Sequence, residues 1–143
     1  MAVRFARVRV PGDGDCFFHA LAFCLGKAQT DPRAMRAALA RYQLSQLRRA
    51  RGAHHRHQLA RSIQRLHDGA WAEHEEVAAA ARLYARHIRV YEGVNRMWIS
   101  FGDEARHPTV YMLNERNVHF EPLVRKKVMQ SVTSYGERAS ATA

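Results

Sequence analysis

Acidic residues are scarce in this chain. Thirteen aspartates and glutamates stand against 23 lysines and arginines, a net charge of +10. Between Pro32 and His67 there is no acid at all, while nine arginines and four histidines crowd the same stretch. A block of this kind either attracts polyanions or an acidic protein face, or it forms a solvated helical surface. Long apolar runs are also missing. None approaches the ~18 residues of a membrane span, so no membrane partner is expected. The opening Met-Ala-Val-Arg-Phe-Ala-Arg lacks the apolar core of a secretion signal, which points to a cytoplasmic setting, with the nucleus as a second possibility. Cysteine is limited to Cys16 and Cys24. Eight residues apart on one helix, they would lie about 12 Å from each other along the axis, too far for a disulfide. Both are read as reduced. The His54, His55 and His57 cluster has no acid or cysteine nearby in sequence, so no metal site and no cofactor are expected.

What is present suits one domain of the α+β class, a small mixed β-sheet wrapped by helices, over residues 1–123. A basic, partly disordered tail is expected over 124–143, and the chain is expected to be a monomer. Alternation over 3–10 reads as a strand with Val8 and Val10 on one face. Pro11-Gly12-Asp13-Gly14-Asp15 reads as a tight loop. An apolar, central helix is expected from Cys16 to Leu25, closed by Gly26. Asp31-Pro32 starts a second helix, with Met35, Ala38, Leu39, Tyr42 and Leu47 inward and Gly52 at its end. Two more are expected over 56–67 and 73–86. In the latter, Glu73, Glu75 and Glu76 suit the N-terminal dipole, and Arg82 and Arg86 the C-terminal one. Strands follow at 87–91, 97–101, 109–113 and 117–123, the last two joined by a turn over 114–117.

Two places can carry chemistry. A cysteine at the start of a helix feels the positive helix end, which lowers its thiol pKa. The glycine-bearing loop before it, Asp13-Gly14-Asp15-Cys16, can turn backbone N–H groups toward an oxyanion. Cys24 has no such loop and is assigned to the core. A thiolate needs a base. His119 lies in Asn117-Val118-His119-Phe120-Glu121, where strand alternation would put Asn117, His119 and Glu121 on one face. Val118 and Phe120 would then face the core. Either the carboxylate or the amide can orient the ring.

Pro11 to Leu21, with its Asp13-Gly14-Asp15-Cys16-Phe17-Phe18 box, resembles the nucleophile box of the ovarian tumour (OTU) family of cysteine proteases. Trp71 to Leu83 with Ile88-Arg89-Val90-Tyr91, and Val110 to Leu113 with Asn117 to Leu123, resemble two further motifs of that family, in order, over residues 8 to 123. The resemblance implies a papain-like cysteine protease fold of OTU type, with Cys16 as nucleophile, His119 as base and Asp13 in the oxyanion loop. The family's Asp or Asn two residues after the histidine is Glu121 here. The resemblance further implies a deubiquitinase that cuts after the C-terminal glycine of ubiquitin or a ubiquitin-like modifier, with ubiquitin or polyubiquitin as partner. It suggests a viral or bacterial effector working in a host cytosol. Arg48, Arg49, Arg51 and Trp71 are weaker candidates for gripping the substrate. Glu73, Glu75, Glu76 and Asp103 are candidates for receiving ubiquitin's basic tail. The competing reading is a basic binding module for nucleic acid or an acidic protein.

Overall fold

A computed structural model describes residues 4–27 and 30–126. The elements run β1 (Arg4–Arg7), α1 (Cys16–Cys24), α2 (Pro32–Arg49), α3 (Ala53–Asp68), α4 (His74–Leu83), β2 (His87–Glu92), β3 (Met97–Phe101), β4 (Thr109–Glu115) and β5 (His119–Lys126). The five strands make one mixed sheet in the order β1-β5-β4-β2-β3. Only β2 and β4 run parallel. The class is α+β, as expected.

Local chemistry sets the helix ends. Gly26, at φ +74°, closes α1. Its N–H donates to Phe23 O while Lys27 N–H donates to Ala22 O, the paired bonds of a Schellman stop. Asp31 caps α2 by accepting from Arg33 N–H, with Pro32 in the first turn. Gly52 does not end α2, which stops at Arg49. Its φ of +90° turns the chain straight into α3, so α3 starts at Ala53, earlier than expected. Helix α4 spans less than 73–86, because Glu73 and Glu76 form a capping box at one end and Ala85 leaves helical geometry at the other. Arg86 still serves that end, donating to Tyr84 O and Ala85 O.

Helix α1 is the hub of the core. Phe17, Phe18 and Leu21 are fully buried, each stabilising the fold by about 1.5–3 kcal/mol. Phe17 meets Phe120 of β5 edge to face at 5.2 Å. Ile88, Val90 and Met112 complete this face of the sheet against α1 and α4. The other face carries a layer of rings: Phe5, Tyr91, Trp98 and Tyr111 pack at centroid distances of 4.9–6.1 Å. Arg89 lies over Trp98 and Arg125 over Tyr111.

Buried polar groups tie the helices together. Gln43 of α2 donates to Ser62 of α3, which donates to Glu76 of α4. Arg65 grips Glu76 through two bonds of 2.9 and 2.8 Å. Glu76 is therefore a core residue and not an open acidic face, and two arginines of the acid-free block, Arg36 and Arg65, turn inward. Strand β5 runs to Lys126, past the expected boundary at 123, and residues 127–143 of the expected tail lie outside the described residues.

Candidate active site

The loop before α1 is built by its own aspartates. Asp13 Oδ1 accepts from Asp15 N–H at 2.9 Å, and Asp13 O accepts from Cys16 N–H at 3.1 Å. This turn delivers Cys16 as the first residue of α1. It also occupies two of the four N–H groups expected to face an oxyanion. Among the described residues, the N–H groups of Asp13 and Gly14 carry no hydrogen bond. Gly14 is required by close approach: a Cβ there would fall 2.8 Å from Gly69 O at the end of α3. Arg36 anchors the same loop. Its guanidinium, almost wholly buried, donates to Asp15 Oδ1 (2.7 Å), Gly14 O (2.8 Å) and Ala70 O (2.7 Å). It also lies over the Phe18 ring.

The β4–β5 hairpin comes down over this loop. Arg116 and Asn117 both take positive φ, +56° and +64°, and β5 begins only at His119. The strand alternation expected from 117 therefore fails. Asn117 sits exposed in the turn and makes no bond to His119, and Val118 is exposed rather than core. Its carbonyl points at the nucleophile candidate: Cys16 Sγ donates to Val118 O at 3.2 Å and accepts from Phe120 N–H at 3.2 Å.

Cys16 is only 1% exposed. Burial pushes its thiol pKa up, against the N–H groups of Phe120 and Phe17, which favour the thiolate. The charge of Asp13 opposes it further. The depressed thiol expected from the helix terminus is thus corrected: desolvation outweighs the helix end. Cys24 shows burial alone, which pushes it up to about 12, and the two cysteines are free.

His119 is held from both sides. Its Nε2 lies 3.1 Å from Glu121 Oε2. Its Nδ1–Cε1 edge faces Gly12, where a Cβ would sit 3.7 Å from both atoms. That edge of the ring thus borders the loop before Cys16, while among the described residues Cys16 Sγ bonds to Val118 O and Phe120 N–H and not to His119. Glu121 spends its other oxygen on Arg7 of β1, which donates from Nε at 2.8 Å. Burial pushes the Glu121 carboxyl up, but the bonds from Arg7 and His119 outweigh it and hold the group below its ordinary 4.5.

Beside the hairpin lies a cavity of about 410 Å³ lined by Glu73, Glu75, Glu92, Asn114, Asn117 and Phe120. Glu73 and Glu75 thus line a groove that reaches Asn117 and Phe120 of the hairpin, though not Cys16 itself. Glu76 does not line it, being buried in the core; Arg65, which grips it, also donates to Glu75 at 2.9 Å, but the Glu73 and Glu75 side chains stay exposed, and Asp103 lies in the β3–β4 connection, accepting from Ala105 N–H. Trp71, 38% exposed, directly precedes Ala72 and Glu73 of this wall. Arg48, Arg49 and Arg51 are exposed at the far end of α2, about 18 Å along the helix from Arg36. They stand apart from the loop and hairpin that hold Cys16 and His119. Among the described residues no group of three or more His, Cys, Asp or Glu side chains is placed to hold a metal ion.

Arg7 and Arg36 were missed from sequence. Arg36 carried a signal, since it stands three and seven residues before Leu39 and Gln43 on the buried stripe of α2. Arg7 carried none, its partner being 114 residues away.

No family model matches the sequence, and no curated protein does. The fold is nevertheless that of OTU domains. The OTU domain of human OTUD1 superposes with a TM-score of 0.65 at 18% identity, over 84% of this chain and 85% of that one. A Hazara virus OTU bound to ubiquitin gives 0.63 at 22% identity over 86% and 82%. An OTU deubiquitinase from Wolbachia pipientis gives 0.57 at 19% identity over 85% and 88%.

Proposed function

We propose that this chain is a cysteine protease of the deubiquitinase type, cleaving after the C-terminal glycine of ubiquitin or a ubiquitin-like modifier. One observation carries the reading. Chain segments more than a hundred residues apart bring a cysteine at a helix start under a hairpin whose first strand residue is a histidine bound to a carboxylate. A core cysteine needs no such neighbour. Solved OTU domains of the same fold, one of them bound to ubiquitin, support the substrate class, and the groove with Glu73 and Glu75 suits a basic tail.

In the proposed cycle the substrate displaces the Cys16 thiol from Val118 O. His119 takes the thiol proton through Nδ1 while Glu121 accepts from Nε2 and stabilises the imidazolium. The thiolate attacks the glycine carbonyl carbon, and the N–H groups of Asp13 and Gly14 receive the oxyanion. The tetrahedral intermediate collapses with cleavage of the C–N bond, and the amine leaves with the proton from His119. Water, deprotonated by His119, attacks the thioester and regenerates the thiol with release of the carboxylate. The measurement is turnover of a fluorogenic ubiquitin C-terminal amide, with covalent capture by an activated ubiquitin probe. Cys16→Ala and His119→Ala are expected to abolish turnover; wild-type rates in Cys16→Ala would sink the reading.

A further inference from the structure

We infer that Arg7 is a positioning residue of this site, fixing the His119 imidazole through Glu121 from a strand that carries no other part of the site. The inference rests on the reading that Cys16 and His119 are the catalytic pair. The carboxylate that orients His119 belongs to a glutamate, which has one more rotatable bond than an aspartate and must lose that freedom to hold a ring in one plane. It is also buried, with 6% of its side chain exposed, so its charge needs a partner.

Arg7 meets both needs. Its Nε and its terminal NH2 group lie 2.8 and 2.7 Å from Glu121 Oε1, leaving Oε2 for His119 Nε2 at 3.1 Å. The two oxygens of one carboxylate are thus divided between a cation and the imidazole. A guanidinium can grip one oxygen through two nitrogens in a fixed plane, which a lysine cannot do. The same terminal NH2 group also donates to Glu115 of β4 at 3.1 Å, so Arg7 is shared between two carboxylates. The register explains the reach. Arg7 pairs with Leu123 on β5, so Glu121 is the next residue on the same face of that strand. Strand β1 thereby has a purpose beyond its four residues of edge pairing.

The test is steady-state kinetics of Arg7→Ala, Arg7→Lys, Glu121→Ala and the Arg7→Ala/Glu121→Ala double variant, on a fluorogenic ubiquitin amide, with thermal melts to show folding. Arg7→Ala is expected to lower kcat about tenfold with KM within about twofold. Arg7→Lys should recover part of that loss. In the Glu121→Ala background, removing Arg7 should cost nothing further, a coupling that a merely structural role would not show. An Arg7→Ala protein with unchanged kcat, or equal losses in both backgrounds, overturns the inference. If Arg7→Ala does not fold, Arg7→Lys decides, and a kcat equal to wild type counts against it. Activity surviving in Cys16→Ala would instead overturn the catalytic reading itself, so the two failures are distinct.

Discussion

Cys16 shows how a residue's chemistry follows from its surroundings and not from its place in a motif. The helix start and the Phe120 N–H both favour a thiolate, yet with 1% of the side chain open to water the desolvation penalty wins. The resting thiol is therefore a protonated group bonded to Val118 O, and it has to be drawn out by substrate. Cys24 is lifted further, to about 12, so its thiolate fraction at pH 7 is on the order of 10⁻⁵. Iodoacetamide at pH 7, followed by peptide mass mapping, should leave both cysteines of the folded protein largely unmodified. Raising the pH to 9 should bring Cys16 into reaction before Cys24. The activated ubiquitin probe should modify Cys16 at pH 7. Rapid alkylation of Cys16 at neutral pH would show that its thiolate is present at rest.

At the scale of elements, the nucleophile loop is held by helices rather than by its own rigidity. Arg36 reaches from α2 to Gly14 O and Asp15 Oδ1 on one side and to Ala70 O beyond α3 on the other. Replacing it with alanine leaves these carbonyls and a carboxylate short of a donor. A loss of about 3 kcal/mol is expected, read as a lower denaturant midpoint, together with a fall in kcat larger than the fraction unfolded explains. Arg36→Lys should keep the charge but lose the forked contacts, falling between the two. A full-strength kcat in folded Arg36→Ala would show that the loop holds itself. These ties also explain what could be read in the sequence. Helix starts at Asp31-Pro32 and Glu73, the stop at Gly26 and strand β3 were legible because their causes are local. That Cys16 meets the start of β5, where His119 stands, could be inferred only through family resemblance, because the hydrogen bonds from Cys16 to Val118 and Phe120 span more than a hundred residues. Asn117 was misplaced because a two-residue left-handed turn interrupts the alternation before β5, and period-two reasoning has no means to see a turn that consumes strand-like residues.

At the scale of the whole molecule, the ion pairs leave the cationic surplus intact: Asp15, Glu76 and Glu121 each cancel one arginine, Arg36, Arg65 and Arg7, so the net +10 rests on the other charged groups. Of the nine arginines between 32 and 67, Arg36 and Arg65 are spent in the core, and Arg56 closes the end of α2 by donating to Leu47 O and Ala50 O. Arg48, Arg49 and Arg51 remain exposed together where α2 passes into α3. Two readings compete for them: a grip on an acidic face of the protein substrate, or a site for nucleic acid. They separate cleanly. Each exposed charge contributes no more than about 1 kcal/mol, and less in salt. Reversing all three to glutamate should therefore raise KM for a ubiquitin substrate roughly tenfold at low ionic strength and far less at 0.5 M salt, with kcat unchanged. If the arginines serve nucleic acid instead, KM will not move, and the triple variant will lose a gel shift that the parent protein shows at physiological salt. Should neither change, the exposed arginines are a solvated helix surface, and the substrate is held by the groove beside the hairpin alone.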